Sequence, residues 1–283
     1  MKRWFELVAE RFFMLSALTC ASVIVLILLF LVYMGLPAIK GAGLGQLLLT
    51  SWDPYRDSYG VYPMMITTGA VSLLSLAFAF PLSLGCSFLI NAAASKQIAR
   101  QLRHMLELMT GIPTVIYGFV GIFLLVPVLR EFFQSGSGMS ILAASMMLGI
   151  MVSPTMTLIF CDSFDSIPRP YLDAADALGA SRIQRLYYVT LPAAKFGMLN
   201  GVVLSLGRAV GDTLISLMIA GNSVQTPGSV LDSARTLTAH IALVFAADYE
   251  SPEFRSIFTC GLILYLFIML LTAVVRYVCR REA

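Results

Sequence analysis

The sequence predicts an all-α membrane protein of six transmembrane helices, and three observations predict it. Charged residues make up 12% of the 283 positions and hydrophobic residues 58%. A soluble domain carries about a quarter charge, so too little polar surface is left to face water on all sides. Six apolar runs are each long enough for the roughly 20 helical residues that a bilayer core demands. Basic residues gather on alternate connections between those runs, as they do in polytopic chains. The net charge of +3 is too slight to imply a nucleic-acid partner.

The runs lie at about 13–36, 64–93, 105–129, 139–161, 193–221 and 257–279. Each must be helical in lipid, where no water satisfies a loose backbone. Lys2 and Arg3 precede the first run, as in a signal peptide. That run exceeds the roughly 7–15 residues of a signal h-region, and further spans follow, so it reads as a retained first helix. The second and fifth runs are long enough to tilt or to extend beyond the bilayer. Pro81, Pro113, Pro127 and Pro154 fall within runs. They mark ordinary membrane-helix irregularity or broken helices around a translocation path. Thr110-Gly111-Ile112-Pro113-Thr114 is the best candidate for a break, and Thr114 the candidate path residue there. Cys20, Cys86, Cys161, Cys260 and Cys279 form no CxxC or Cys/His cluster, so neither a disulfide nor a metal is expected. Positions 1–283 read as a single transmembrane domain with no soluble catalytic module.

Charge sets the expected orientation. With the N-terminus in the cytoplasm, the inner segments hold Lys2, Arg3, Arg11, Lys96, Arg100, Arg103, Arg169, Arg182, Arg185, Lys195, Arg276, Arg280 and Arg281. The outer segments hold Lys40, Arg56, Arg130, Arg235 and Arg255. Both termini are therefore expected in the cytoplasm of a bacterial inner-membrane protein. Trp52-Asp53-Pro54-Tyr55 in the first outer connection reads as an interfacial turn. Asp232, Asp248, Glu250 and Glu253 fall in the last outer connection. His104 and His240 are read as solvated or structural.

The inner connection 162–192 carries the most specific pattern. Pro168 and Pro170 delay helix onset, Tyr171–Leu178 suits a short helix, Gly179 ends it, and Ser181 caps a second. Asp173-Ala174-Ala175, then Gly179, Val189 and Leu191-Pro192 have the spacing of the "EAA" loop. That loop marks permeases of ATP-binding cassette importers, and Asp173 stands where the family has Glu. The resemblance implies a type I importer permease fold. It makes Asp173, Ala174, Ala175, Gly179, Leu191 and Pro192 a coupling element that docks on a cytoplasmic ATPase. No GxxxxGK[ST] motif occurs, so the chain is expected to be no enzyme and to bind no cofactor, the ATP being used by the partner.

The fifth run contains Gly207-Arg208-Ala209-Val210-Gly211-Asp212-Thr213. An arginine at membrane depth costs about 2.5–3.5 kcal/mol on insertion scales, so it faces an interior or a cavity. In a continuous helix Arg208 and Asp212 share a face. They are either a neutralised pair that knits helices together or an anion-contacting arginine with an orienting carboxylate. Gly207 and Gly211 would allow a helix or an anion to approach closely. Glu107 is either a helix-end charge or a partner of the path.

The string from Leu204 to Asn222, with Arg235–Ala242 and Gly111–Gly118, resembles permeases of the bacterial phosphate importer, more the C-type than the A-type subunit. Asp212 stands where that family has Glu. The resemblance implies phosphate transport, with Arg208, Asp212, Thr213 and Thr114 on the substrate path. It also implies a second homologous permease forming a heterodimer, an ATPase dimer and a periplasmic phosphate-binding protein. A guanidinium serves an oxyanion bidentately but does not select among oxyanions, so tungstate, molybdate or sulfate remain open as cargo. The docking loop argues against an ATP-independent channel or secondary carrier; a non-transporting scaffold would be marked by uptake that survives disruption of Gly179 or Ala174.

Overall fold

In the computed structural model, the described residues are 2–42, 44–134, 136–249 and 251–281, without the side chains of 2–5, 7, 8, 37–42, 44, 46, 47, 275 and 278–281. The charges at Lys2, Arg3, Lys40, Glu250, Arg280 and Arg281, and the Cys279 thiol, lie outside the described side chains. The helices in chain order are α1 (Lys2–Ala42), α2 (Leu44–Leu49), α3 (Tyr62–Phe88), α4 (Lys96–Thr110), α5 (Thr114–Val120), α6 (Val126–Phe133) and α7 (Ile141–Asp165). They continue with α8 (Arg169–Ala177), α9 (Arg182–Arg185), α10 (Leu191–Gly211), α11 (Leu214–Ile219), α12 (Leu237–Val244) and α13 (Pro252–Arg281). Strands β1 (Trp52–Asp53) and β2 (Ser58–Tyr59) pair as a small hairpin where the interfacial turn is expected. Among the described residues, six helical stretches are long and apolar enough to span: 9–36, 62–93, 114–133, 141–165, 182–211 and 252–274.

Helix α7 is the hub. Two thirds of its apolar window is buried, against a third or less in every other span. Met147, Leu148, Met151, Val152, Met156 and Phe160 pack against Val71 and Ala79 of α3 and Ile215 and Ile219 of α11. Its proline is accommodated locally. Pro154 offers no N–H to the Ile150 carbonyl, and the Ser153 hydroxyl donates there instead at 3.0 Å. The Ser83 hydroxyl of α3 then donates to the Ser153 carbonyl at 3.0 Å, tying the two helices at the same turn. By contrast α1 lies outside against α13, where Phe30 meets Phe258 edge-on.

The expected third span begins too early. Residues 105–110 belong to α4, an amphipathic helix that turns Leu102, Leu106 and Met109 inward and leaves Arg100, His104 and Glu107 exposed. The Gly111-Ile112-Pro113 corner ends it, and the span starts at Thr114. Pro113 therefore precedes a span rather than kinking one. Glu107 sits on the exposed face of α4 beside His104, at 3.4 Å.

The fifth span is displaced as well. It runs from Arg182 through a π-helical turn, Leu186–Thr190, into α10 and stops at Gly211 rather than continuing to 221. The π turn has a cause. Pro192 has no N–H and its ring crowds the carbonyl one turn back, so the chain widens and Leu191 N–H reaches Leu186 instead. The same device recurs at Gly121–Leu125, where Val126 N–H reaches Gly121 and Pro127 follows. Because the turn is widened rather than broken, α9 and α10 form one rod of 30 residues, about 45 Å long.

The last long connection folds back over the opposite end of the bundle. The N–H groups of Ser140, Ile141 and Leu142 at the start of α7 donate to the carbonyls of Ile219, Asp232 and Val230, which satisfies donors a helix start leaves open. His240 is buried, with its ring edge-on to Trp52 at 4.4 Å and Nε2 3.3 Å from the Ser256 hydroxyl. It is structural.

Candidate functional site: an intramembrane arginine and a two-helix docking element

Helix α10 carries Arg208 in its last turn, half-buried. Its Nη1 donates to the Thr155 hydroxyl of α7 at 2.9 Å. No carboxylate lies within ion-pair distance of it among the described residues. The expected face-sharing with Asp212 is corrected here. The helix ends at Gly211, and Asp212 is extended, with ψ 128. Its carboxylate Oδ2 accepts the Ile215 N–H at 2.9 Å, capping the first turn of α11. Glycine is a poor helix former and aspartate a good cap, so the local preference favours a break exactly where a continuous apolar run hides it.

The break is held from outside. The Thr238 hydroxyl donates to the Asp212 carbonyl at 2.9 Å and faces the Thr236 hydroxyl at 3.1 Å. Thr213 immediately precedes α11 and accepts Leu217 N–H on its carbonyl. Thr114 sits half-buried at the start of α5, with no side-chain hydrogen bond to the other three. Its helix nonetheless packs on α11. A Cβ added to Gly118 would come within 2.6 Å of Met218 Sδ, so a larger residue there would push the Met218 side chain aside. Arg208, Asp212 and Thr213 are thus together, and Thr114 is on the neighbouring wall. Around Gly207 and Gly211 nothing approaches within 4 Å, so no helix of this chain uses them.

At the far end, α8 and α9 meet at Gly179, whose φ of +77 is the left-handed conformation that ends a helix. Ser181 and Gln184 form a capping box that starts α9. Of the motif residues, Asp173 and Ala174 are exposed and Ala175 is buried. Leu178 at 89% and Tyr188 at 72% exposure rim a concavity of about 550 Å³ floored by Ala174, Ala175 and Gly179. Large apolar groups on a polar end of the molecule mark an interaction surface.

The family of binding-protein-dependent transport system inner membrane components matches residues 83–282. The chain belongs to this family. A probable ABC transporter permease protein, YqgH, of Bacillus subtilis is 35% identical over 272 residues, covering 94% of this chain and 88% of that one. The phosphate transport system permease protein PstC of Mesorhizobium japonicum is 29% identical, covering 92% and 87%. Among solved structures, a bacterial ABC transporter for import of the acidic polysaccharide alginate superposes with a TM-score of 0.62 at 15% identity, covering 99% of each chain. The inward-facing MetNI methionine ABC transporter gives 0.61 at 18% identity, covering 79% of this chain and 98% of that one. The fold is that of a type I ABC importer permease.

Two features of this permease were not visible as motifs. Asp176, not Asp173, braces the docking element, by taking Arg185 Nη1 at 2.7 Å and closing α8 onto α9. Arg103 bridges α4 to Asp165 at 2.8 Å, and Arg182 reaches the Ala92 carbonyl at 3.3 Å. The α8–α9 element is therefore tied to the turn that follows α3, while Arg103 ties α4 to the end of α7. Spacing of opposite charges gives no signal for the two ion pairs, whose partners are 9 and 62 residues apart.

Proposed function

We propose that this chain is one permease subunit of an ATP-driven importer of inorganic phosphate, without an ATPase site of its own. The α8–Gly179–α9 element is the single observation that carries the coupling. It is an apolar, exposed knuckle continuous with a 30-residue rod that ends beside Arg208. Movement imposed on the knuckle by an ATPase dimer would displace the rod as a unit. The knuckle faces the cytoplasm in this reading, which the exposed Arg100, Arg169 and Arg182 at that end support. A second homologous permease would complete the path along the open Gly207–Gly211 face, and a periplasmic phosphate-binding protein would dock at the opposite end.

Phosphate is favoured as cargo by the similarity to the PstC proteins across most of the chain. The chemistry agrees. Arg208 keeps most of its five N–H donors free of protein acceptors, which suits an oxyanion bound bidentately. Uptake of labelled phosphate into proteoliposomes holding the assembled complex tests this. Uptake should need ATP, vanish with Arg208→Ala, and resist competition by tungstate, molybdate and sulfate. ATP-independent uptake by this chain alone, or equal competition by those anions, would sink the reading.

A further inference from the structure

Among the described residues, the cationic side chains are mostly exposed, and the part-buried Arg103 and Arg185 each meet an aspartate. Two part-buried arginines have no carboxylate within 4 Å among the described residues. One is Arg208. The other is Arg235, in the connection that covers the opposite end of the bundle. A desolvated guanidinium without a counter-charge is unfavourable, so its persistence points to an anion that comes and goes.

The surroundings of Arg235 fit that requirement. Its Nε donates to the Asn222 carbonyl at 3.1 Å, and the donors on Nη1 and Nη2 have no acceptor among the described residues. Burial pulls its pKa below the usual arginine value. Asn222 is held rigidly. It adopts φ 64, its N–H donates to the Ala234 carbonyl, and its Nδ2 donates to the Leu217 carbonyl at 2.6 Å. Its Oδ1 is buried and has no hydrogen-bond partner. A free guanidinium beside an orphan acceptor complements an oxyanion that still carries a proton, as phosphate does near neutral pH and sulfate does not.

Position places this corner in line with Arg208. Helix α11 (Leu214–Ile219) lies between the Asp212 break and the Gly221-Asn222 turn, a rise of about 9 Å over its six residues. Arg208, in the last turn of α10 before that break, and Arg235, bonded to the Asn222 carbonyl after it, thus flank one short helix. We propose that the Arg235–Asn222 corner is an outer phosphate station, passed before Arg208, in which the guanidinium receives the charge and Asn222 Oδ1 accepts the P–O–H. This rests on phosphate being the cargo.

The test uses the assembled complex in detergent with an arginine-specific dicarbonyl reagent, reading modification at Arg208 and Arg235 separately by peptide mass spectrometry. Inorganic phosphate should slow modification of both at least threefold, and sulfate at equal concentration should protect Arg235 less. Protection of Arg208 alone overturns the station and leaves the transport reading standing. Protection of neither overturns both. Equal protection by sulfate overturns the role of Asn222. In proteoliposomes, Arg235→Gln should lower maximal uptake about tenfold, leave half-saturation by the phosphate-loaded binding protein unchanged, and be largely rescued by Arg235→Lys. A raised half-saturation at normal maximal uptake would mean that Arg235 pairs with a carboxylate of the docked protein. Equal loss of assembled complex in both variants would mean a structural role.

Discussion

The guanidinium of Arg208 is bonded to the hydroxyl of Thr155, 2.9 Å away on α7, and not to Asp212, which lies four residues further along its own chain. An intramembrane arginine held by a neutral hydroxyl keeps its charge for another ligand. A carboxylate in the same place would compete with an incoming anion.

Thr155→Val should therefore impair uptake without impairing insertion. Hydrogen bonds to charged groups contribute about 1.5–3 kcal/mol, which corresponds to a loss of roughly ten- to a hundred-fold if all of it is expressed in transport. Thr155→Ser should stay near the parent rate. Phosphate uptake by the assembled complex, normalised to membrane-inserted protein, reads both.

Asp212 caps α11, so its shape matters more than its charge. Asp212→Asn keeps an acceptor for Ile215 N–H and should retain most activity, while Asp212→Ala should destabilise the region by about 1 kcal/mol. Thermal melting of the purified protein measures the difference. Equal loss in both variants would restore the carboxylate to the role of counter-charge.

The Asp176–Arg185 bridge closes the docking element at 2.7 Å, with Asp176 about half exposed. Such a bridge contributes at most about 1 kcal/mol to stability. Asp176→Ala should leave the melting temperature nearly unchanged yet lower ATP-coupled uptake, because the knuckle loses its fixed angle. The exchanged pair Asp176→Arg with Arg185→Asp should recover part of that loss in a double-mutant cycle.

His240 supplies a pH dependence. Burial, reinforced by the charge of Arg235, pushes its pKa from 6.5 down to about 4. Below pH 6.5 the unfolded chain takes up a proton that the folded chain refuses. Stability is full above that value and falls as the pH drops toward 4. Between pH 7 and pH 5 the loss is about 2 kcal/mol. Melting of the detergent-solubilised protein should fall over that range, and His240→Gln should flatten the slope.

The sequence by itself determined the membrane class, the six spans and the pair of short helices joined at Gly179. Those features rest on local signals: apolar length, proline and glycine at helix ends, and Ser181 as a cap. Hydropathy misplaced the third span because α4 presents an apolar face that reads as the start of the next run. It also carried the fifth span through Gly211 and Asp212, since α10 and α11 are both apolar and a break between them leaves no gap in hydropathy. Only the tertiary structure decided that Asp212 turns to cap α11, that Arg208 meets Thr155, and that Arg235 bonds a backbone carbonyl with no carboxylate within 4 Å among the described residues. Each depends on which side chains from distant positions are brought within about 3 Å, and in the membrane interior, where water does not compete, that proximity fixes what a charge is free to bind.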